Sequence, residues 1–111
     1  MPDLVPGDIV WIFLDPVVGR EQGGRRPAVV VSSRAHLTIA DTLVSVVPVT
    51  SVDRGWSNHI LLEGQVLERA SWAMTEQMRT ISRERVSDVA GRVDAATLAE
   101  IREWIINFIN E

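Results

Sequence analysis

The chain has 111 residues, of which 46% are hydrophobic and 23% are charged, and its formal net charge is −4 at pH 7. This length suits one domain with a buried core, so we expect a single domain over residues 1–111. The absence of cysteine excludes disulfides and thiolate metal sites. No apolar run approaches the roughly 20 residues of a membrane span, and the N-terminus lacks the pattern of a signal peptide. We therefore expect a cytoplasmic protein.

The first half of the chain predicts three strands joined by polar segments. Asp8 to Leu14 is rich in β-branched and aromatic residues, and Pro27 to Ser33 is an apolar run with proline at its first position. A loop or short helical turn over 34–41 precedes a third strand, Leu43 to Thr50. Pro48 in that strand has no N–H to donate, which indicates a sheet edge or a bulge.

The second half predicts further short strands separated by polar turns. A polar loop over 51–58 comes first, and the later segments alternate between apolar and polar residues, as half-buried strands do. In chain order the predicted segments are a strand at His59–Leu62, two weaker alternating segments at 67–75 and 77–82, a helical turn at 83–86 and a last strand at 89–93.

The C-terminal segment has a helical pattern. Asp94 is a favourable N-cap, and Leu98, Ile101, Ile105 and Phe108 recur at intervals of three and four residues. This spacing predicts one amphipathic helix that covers the strands. The chain therefore reads as mainly β with α: a small antiparallel barrel or strongly bent sheet closed by a helix.

Familiar catalytic motifs are missing from the sequence. There is no HExxH zinc motif, no phosphate-binding GxxxxGK[ST] loop and no dinucleotide fingerprint, and the acidic residues are scattered. A metal-independent mechanism without a cofactor is therefore the better prediction.

Arginine is the most informative residue type, because all 11 basic residues are arginine. Arg20, Arg25 and Arg26 lie in the glycine-rich first loop, Arg54 lies in the polar loop after the third strand, and Arg79 lies in a later strand. If the fold brings these segments together, the guanidinium groups would suit a phosphodiester whose oxygens gain charge in the transition state. The alternative is a solvated loop whose charges serve solubility.

Two further side chains are candidates for contact with a nucleic acid. Trp56 lies in the same polar loop as Arg54, and an exposed aromatic ring beside arginine can stack on an unpaired base. His59 opens a short strand and is either a partner of nearby backbone or a candidate general base.

Three stretches together resemble the MazF/PemK family of toxins from toxin–antitoxin systems. The first is GDIVWIFLDPVVGREQGGRRPAVVVSS, the second is VVPVTS and the third is EQMRTISRERV. Their order and spacing agree with the family along residues 7 to about 109, and the combination is far more specific than any single stretch.

The resemblance implies an SH3-like (CcdB/PemK-type) antiparallel barrel that forms a homodimer. It also implies a sequence-selective, metal-independent endoribonuclease that cleaves single-stranded RNA and thereby inhibits translation and growth. In this family the 2′-OH attacks the adjacent phosphate and leaves a 2′,3′-cyclic phosphate and a 5′-OH. The expected partner, besides RNA, is a cognate MazE-like antitoxin.

Carried over by motif, the resemblance assigns catalysis to Arg26 and Thr50. Arg26 would stabilise the charged phosphorane, and Thr50 would hydrogen-bond a phosphate oxygen. Arg25 would be positional or solvated. The residues expected to bind RNA or to shape its site are Arg20, Glu21, Gln22, Arg54, Trp56, Gln77 and Arg79.

The chain departs from the family pattern in two places. Arg20 stands where the family usually has serine, and the 51–58 loop differs in detail from common members, so both are candidates for altering which bases are accepted. An alternative function on the same fold is a CcdB-like toxin that binds DNA gyrase. That branch typically ends in a Trp/Leu-Gly-Ile tail, whereas this chain ends WIINFINE.

Overall fold

A computed structural model of the chain describes residues 3–13, 24–62 and 67–110. Arg20, Glu21 and Gln22, which the sequence analysis predicts to bind RNA, lie outside these residues. The described elements comprise strands, two helices and two 3₁₀ turns. In chain order they are β1 (Asp8–Phe13), β2 (Arg25–Val30), α1 (Arg34–Ile39), β3 (Leu43–Thr50), β4 (His59–Leu61), β5 (Trp72–Met74), the turn Thr75–Gln77, β6 (Arg79–Ser82), the turn Arg83–Arg85, β7 (Val86–Arg92) and α2 (Ala95–Ile109).

The strands form one antiparallel sheet in the order β4-β5-β3-β2-β1-β7, and β6 pairs with β3 beside β5. This confirms the predicted mainly antiparallel fold with a C-terminal helix. The term barrel describes it only loosely, because no ladder among the described residues joins β7 to β4 and closes the sheet.

Strand β3 shows why the sheet carries apolar residues on both faces. Its side chains alternate, so Val47 and Val49 enter one hydrophobic cluster while Val44 and Val46 enter another. The first cluster includes Ile101 of α2, which is fully buried. The helix thus covers one face of the sheet, and the bent sheet encloses the second cluster on its other face.

Helix α2 begins where the sequence predicts. Asp94 is its N-cap, and its carboxylate accepts a hydrogen bond from the backbone N–H of Thr97 at 2.7 Å, which lowers the pKa of Asp94. Leu98 and Ile101 are buried as expected. Phe108 is instead 51% exposed, and its neighbours Ile106 and Ile109 in the last turn are exposed too. Among the described residues, no helix has the length and apolar character needed to span a membrane.

On one side of β3 the pairing passes from β5 to β6, and it is interrupted beside Pro48. Val49 pairs with Ala73 and Val46 pairs with Arg79, so three steps along β3 correspond to six steps along its partner. The extra residues form the 3₁₀ turn Thr75–Gln77. Pro48 therefore lies in an inner strand rather than at a sheet edge, next to a break where its missing N–H leaves no ladder bond unmade.

Strand β2 begins two residues earlier than the apolar run indicates. Arg25 pairs with Phe13 and Arg26 pairs with Ile12 across the β1–β2 ladder. Both arginines therefore belong to a strand and not to the preceding loop. Backbone pairing with β1 overrides their polar character, and it gives each side chain a defined direction.

Candidate active site

A small pocket of about 100 Å³ brings together three of the residues that the sequence predicts to bind RNA or act on it. We call it the arginine pocket. No acidic side chain is among the described residues that line it, so it suits an anion. Its lining includes Arg26, Gln77, Arg79, Ile12, Pro48 and Met74.

Strand alternation directs Arg26 toward this pocket. Arg26 lies on the same face of β2 as Ala28, and Ala28 pairs with Pro48, which lines the pocket. Arg26 is exposed, and within the described residues no hydrogen bond or ion pair holds its guanidinium. Arg79 approaches from the opposite side of β3, where it pairs with Val46. Two guanidinium-bearing strands thus flank one inner strand.

Arg25 points to the other face of the sheet. Its Nη1 lies 2.7 Å from the Oδ1 of Asp88, and its guanidinium carbon lies 5.2 Å from the ring centroid of Trp11. An exposed ion pair of this kind contributes little to stability, but it occupies the charge. The structure therefore separates two adjacent arginines that the sequence alone presents as equivalent.

Thr50 lies at the end of β3, beside the arginine pocket rather than in its lining. The β2–β3 ladder pairs Ala28 with Pro48, and the same register continued by two residues would put Arg26 opposite Thr50 on the same face. The Thr50 hydroxyl accepts a hydrogen bond from the N–H of Val52 at 3.1 Å. Its own hydrogen remains available to donate to a bound oxygen.

The 51–58 loop presents Arg54 and Trp56 to solvent. Trp56 is 51% exposed, and the guanidinium carbon of Arg54 lies 5.9 Å from its ring centroid. Between them Gly55 adopts a φ of +70°, a conformation that favours glycine, and its N–H donates to Asp53. The loop thus holds an exposed aromatic surface with a cation beside it.

His59 is placed differently from the other predicted residues. Only 2% of its side chain is exposed, and it is not among the described residues that line the arginine pocket. Its Nε2 lies 3.0 and 3.1 Å from the two carboxylate oxygens of Glu76. Its Nδ1 is buried and has no hydrogen-bond partner among the described residues. The indole ring of Trp56 packs against the imidazole ring of His59, with a distance of 4.8 Å between the ring centroids.

Glu76 is a residue that the sequence analysis did not single out, although it opens the quoted segment EQMRT. It lies in the turn Thr75–Gln77, directly before Gln77 of the arginine pocket. Partial burial is the largest single influence and raises the pKa of Glu76. Hydrogen bonds from His59, from its own backbone N–H and from Gln77, with the electrostatic attraction of His59, together lower it by more, so the net pKa lies below its ordinary value of 4.5. The carboxylate is therefore ionised at neutral pH.

The lowered pKa of Glu76 predicts a specific dependence of stability on pH. Because the folded pKa lies below 4.5, the stabilisation is fully present above that pH and is lost as pH falls through the folded pKa. We expect the free energy of unfolding to fall less steeply in Glu76→Gln than in the unmodified protein when the pH is lowered from 7 to 3. Urea denaturation at several pH values measures this difference, and parallel curves for the two proteins would contradict it.

In the part of the chain that the structure describes, no group of three or more histidine, aspartate or glutamate side chains could hold a metal ion. The side chains that meet in the arginine pocket instead carry cationic and amide donors, which recognise phosphate oxygens.

Comparison with known proteins places this arrangement in a family. Residues 5–109 match the family model described as PemK-like, MazF-like toxin of type II toxin–antitoxin system. The chain is 39% identical to Endoribonuclease MazF9 of Mycobacterium tuberculosis, over 87% of this chain and 88% of that protein. It is 34% identical to Endoribonuclease toxin MazF of Escherichia coli K12, over 95% and 91% of the two chains.

A solved structure agrees with the fold as well. The MazE–MazF crystal structure (Form-II) from Deinococcus radiodurans has a chain that superposes with a TM-score of 0.80 at 31% identity, covering 96% of this chain and 97% of that chain. The family match spans every strand and both helices described above. The chain therefore belongs to the PemK-like, MazF-like toxins of type II toxin–antitoxin systems.

Proposed function

We propose that this chain is an endoribonuclease toxin that cleaves single-stranded RNA and thereby inhibits translation and growth. The family match and the relatives named endoribonucleases support this proposal. They also favour it over the alternative of a gyrase-binding toxin. Gyrase inhibition by the purified protein without any RNA cleavage would reverse that preference.

The observation that carries the mechanism is the exposed guanidinium of Arg26, which has no partner among the described residues, at a pocket that Arg79 also lines. In the proposed reaction the 2′-OH gives up its proton to solvent and its oxygen forms a bond to phosphorus. The bond from phosphorus to the 5′-oxygen breaks, and the departing oxygen takes up a proton from solvent to become the 5′-OH. Negative charge grows on the phosphorane oxygens, and Arg26 stabilises it. We assign Arg26 this electrostatic role because a guanidinium with a pKa above about 12 is a poor proton donor.

The nucleophile in this reaction belongs to the substrate. A protein nucleophile is therefore unnecessary, and DNA is not a substrate because it lacks the 2′-OH. Thr50 would donate its hydroxyl hydrogen to a phosphate oxygen beside Arg26. Gln77 and Arg79 would contact the RNA within the arginine pocket, and Trp56 with Arg54 would stack on a neighbouring base. Arg20, Glu21 and Gln22 retain their proposed RNA-binding roles through the family resemblance.

The reaction class is tested with a single-stranded RNA oligonucleotide in the presence of EDTA. We expect an undiminished cleavage rate and fragments that end in a 2′,3′-cyclic phosphate and a 5′-OH, because substrate oxygen and protein donors carry the chemistry. The matched control substrate has one 2′-deoxynucleotide at the cleaved position and should remain intact. Cleavage of that control, or loss of activity in EDTA, would refute the mechanism.

The proposal includes partners and location. The solved MazE–MazF complexes of Deinococcus radiodurans support a MazE-like antitoxin as partner. An acidic, extended antitoxin segment would compete with RNA for the same arginines, since both are anionic chains. We further propose that residues 1–111 form one toxin domain, that two copies form a homodimer, and that the protein acts in the cytoplasm.

A further inference from the structure

Five hydrogen bonds tie Asn58, the last residue of the 51–58 loop, and His59, the first residue of β4, to the turn Thr75–Gln77. The side-chain amide of Asn58 donates to the Oε1 of Glu76 at 2.8 Å and to the hydroxyl of Thr75 at 3.2 Å. The Thr75 hydroxyl in turn donates to the backbone carbonyl of Asn58 at 2.8 Å. His59 supplies the other two contacts, from Nε2 to both carboxylate oxygens of Glu76. Loop and turn are therefore connected through adjacent residues on both sides.

The two connected segments carry different parts of the proposed site. The 51–58 loop bears the exposed ring of Trp56, which packs against His59 at a centroid distance of 4.8 Å. The turn ends in Gln77, which lines the arginine pocket, and the Nε2 of Gln77 lies 3.4 Å from the Oε2 of Glu76. Glu76 thus lies between His59, which packs against Trp56, and Gln77, which lines the arginine pocket.

His59 is poorly placed to accept a proton from RNA. An ionised carboxylate can only accept hydrogen bonds, so the Nε2 of His59 carries a hydrogen that points to Glu76. The lone pair of a base would have to be on Nδ1, but that atom is buried. A general base must come within hydrogen-bond reach of the proton that it removes. The ring offers no accessible lone pair for this.

We propose that His59 and Glu76 are positioning residues. They fix the 51–58 loop, with Trp56, relative to the turn Thr75–Gln77, so that an RNA base can stack on Trp56 while its phosphate binds in the arginine pocket. This inference rests on the proposed RNA cleavage. It assigns His59 a structural contact in place of the general-base role that its sequence position allows. Loss of the contact should let the loop move relative to the arginine pocket and weaken productive binding.

The test compares His59→Ala, Glu76→Ala, the double variant and His59→Gln in cleavage of one oligoribonucleotide. The alanine variants should each raise KM about 10- to 100-fold through misplacement of the loop, and the double variant should be no worse than either single one. His59→Gln should stay close to the unmodified protein, because glutamine retains a donor for Glu76 although it cannot act as a base. His36→Ala is the matched control. His36 lies in α1 and hydrogen-bonds Ser32, so its loss leaves the contacts between the 51–58 loop and the turn Thr75–Gln77 intact.

A catalytic base predicts a different pattern. His59→Gln would then be as inactive as His59→Ala, with kcat lowered about 100- to 10,000-fold, and this result would overturn the proposal.

Hydrogen exchange of the amides in residues 51–58 provides a readout that needs no RNA. Exchange should be faster in His59→Ala and unchanged in His59→Gln. If the unmodified protein cleaves no RNA, the proposed function fails, whereas unchanged exchange in His59→Ala refutes the positioning role by itself.

Discussion

Arg26→Ala should lower the rate of RNA cleavage about 100- to 1,000-fold, the usual effect of removing one donor that stabilises an oxyanion. Arg26 faces the arginine pocket from β2, and no carboxylate among the described residues neutralises it. Its charge is therefore available to the phosphorane. The effect should appear mainly in kcat, since the phosphate gains its additional charge only in the transition state.

Arg25→Ala is the matched control for this prediction. Arg25 is the adjacent residue with the same side chain, but it is held on the other face of the sheet by Asp88 and Trp11. Initial cleavage rates of both variants on one RNA oligonucleotide measure the difference. We expect Arg25→Ala to stay near the unmodified rate. Equal losses in the two variants, or full activity of Arg26→Ala, would contradict the assignment of Arg26.

Ile101→Ala should have the largest effect on stability, with a loss of about 2–5 kcal/mol in the free energy of unfolding. Ile101 has no exposed surface and packs in the cluster that joins α2 to the sheet. Truncation removes buried apolar area and leaves a cavity. The surrounding side chains cannot fill that cavity, because the strands hold them on one side and the helix holds them on the other. The improved helix propensity of alanine offsets only a small part of this loss.

Ile106→Ala tests the same chemical change on the same helix in solvent. Ile106 is 55% exposed, so its truncation should change the free energy of unfolding by no more than about 0.5 kcal/mol. Urea denaturation followed by circular dichroism measures both variants. If Ile106→Ala lowers the free energy of unfolding as much as Ile101→Ala does, α2 does not pack against the sheet through the face that carries Ile101.

Most elements of the fold are readable from the sequence. Strand β3 spans Leu43–Thr50 as predicted, and α2 follows its predicted N-cap, because local patterns and capping chemistry decide both. The start of β2 is not readable in this way, since Arg25 and Arg26 have no strand-like pattern of their own. Pairing with β1 extends the strand over them, and pairing between distant segments leaves no signal in the local sequence.

The candidate site divides in a similar way. The resemblance identifies Arg26, Gln77 and Arg79, and the structure brings them to one pocket. The sequence did not indicate Glu76, because its importance comes from His59, which lies 17 positions earlier in the chain. Thr50 lies beside that pocket rather than in its lining. The catalytic and RNA-binding roles of these residues remain predictions that the experiments above test.

By itself the sequence determined the family and limited the permanently cationic side chains to arginine, since residue types and motif order are local properties. The separation of Arg25 from Arg26 and the enclosure of His59 came only from the tertiary structure. Strand alternation fixes opposite directions for neighbouring side chains, but ladder register and the turn inserted beside Pro48 decide what each side chain meets.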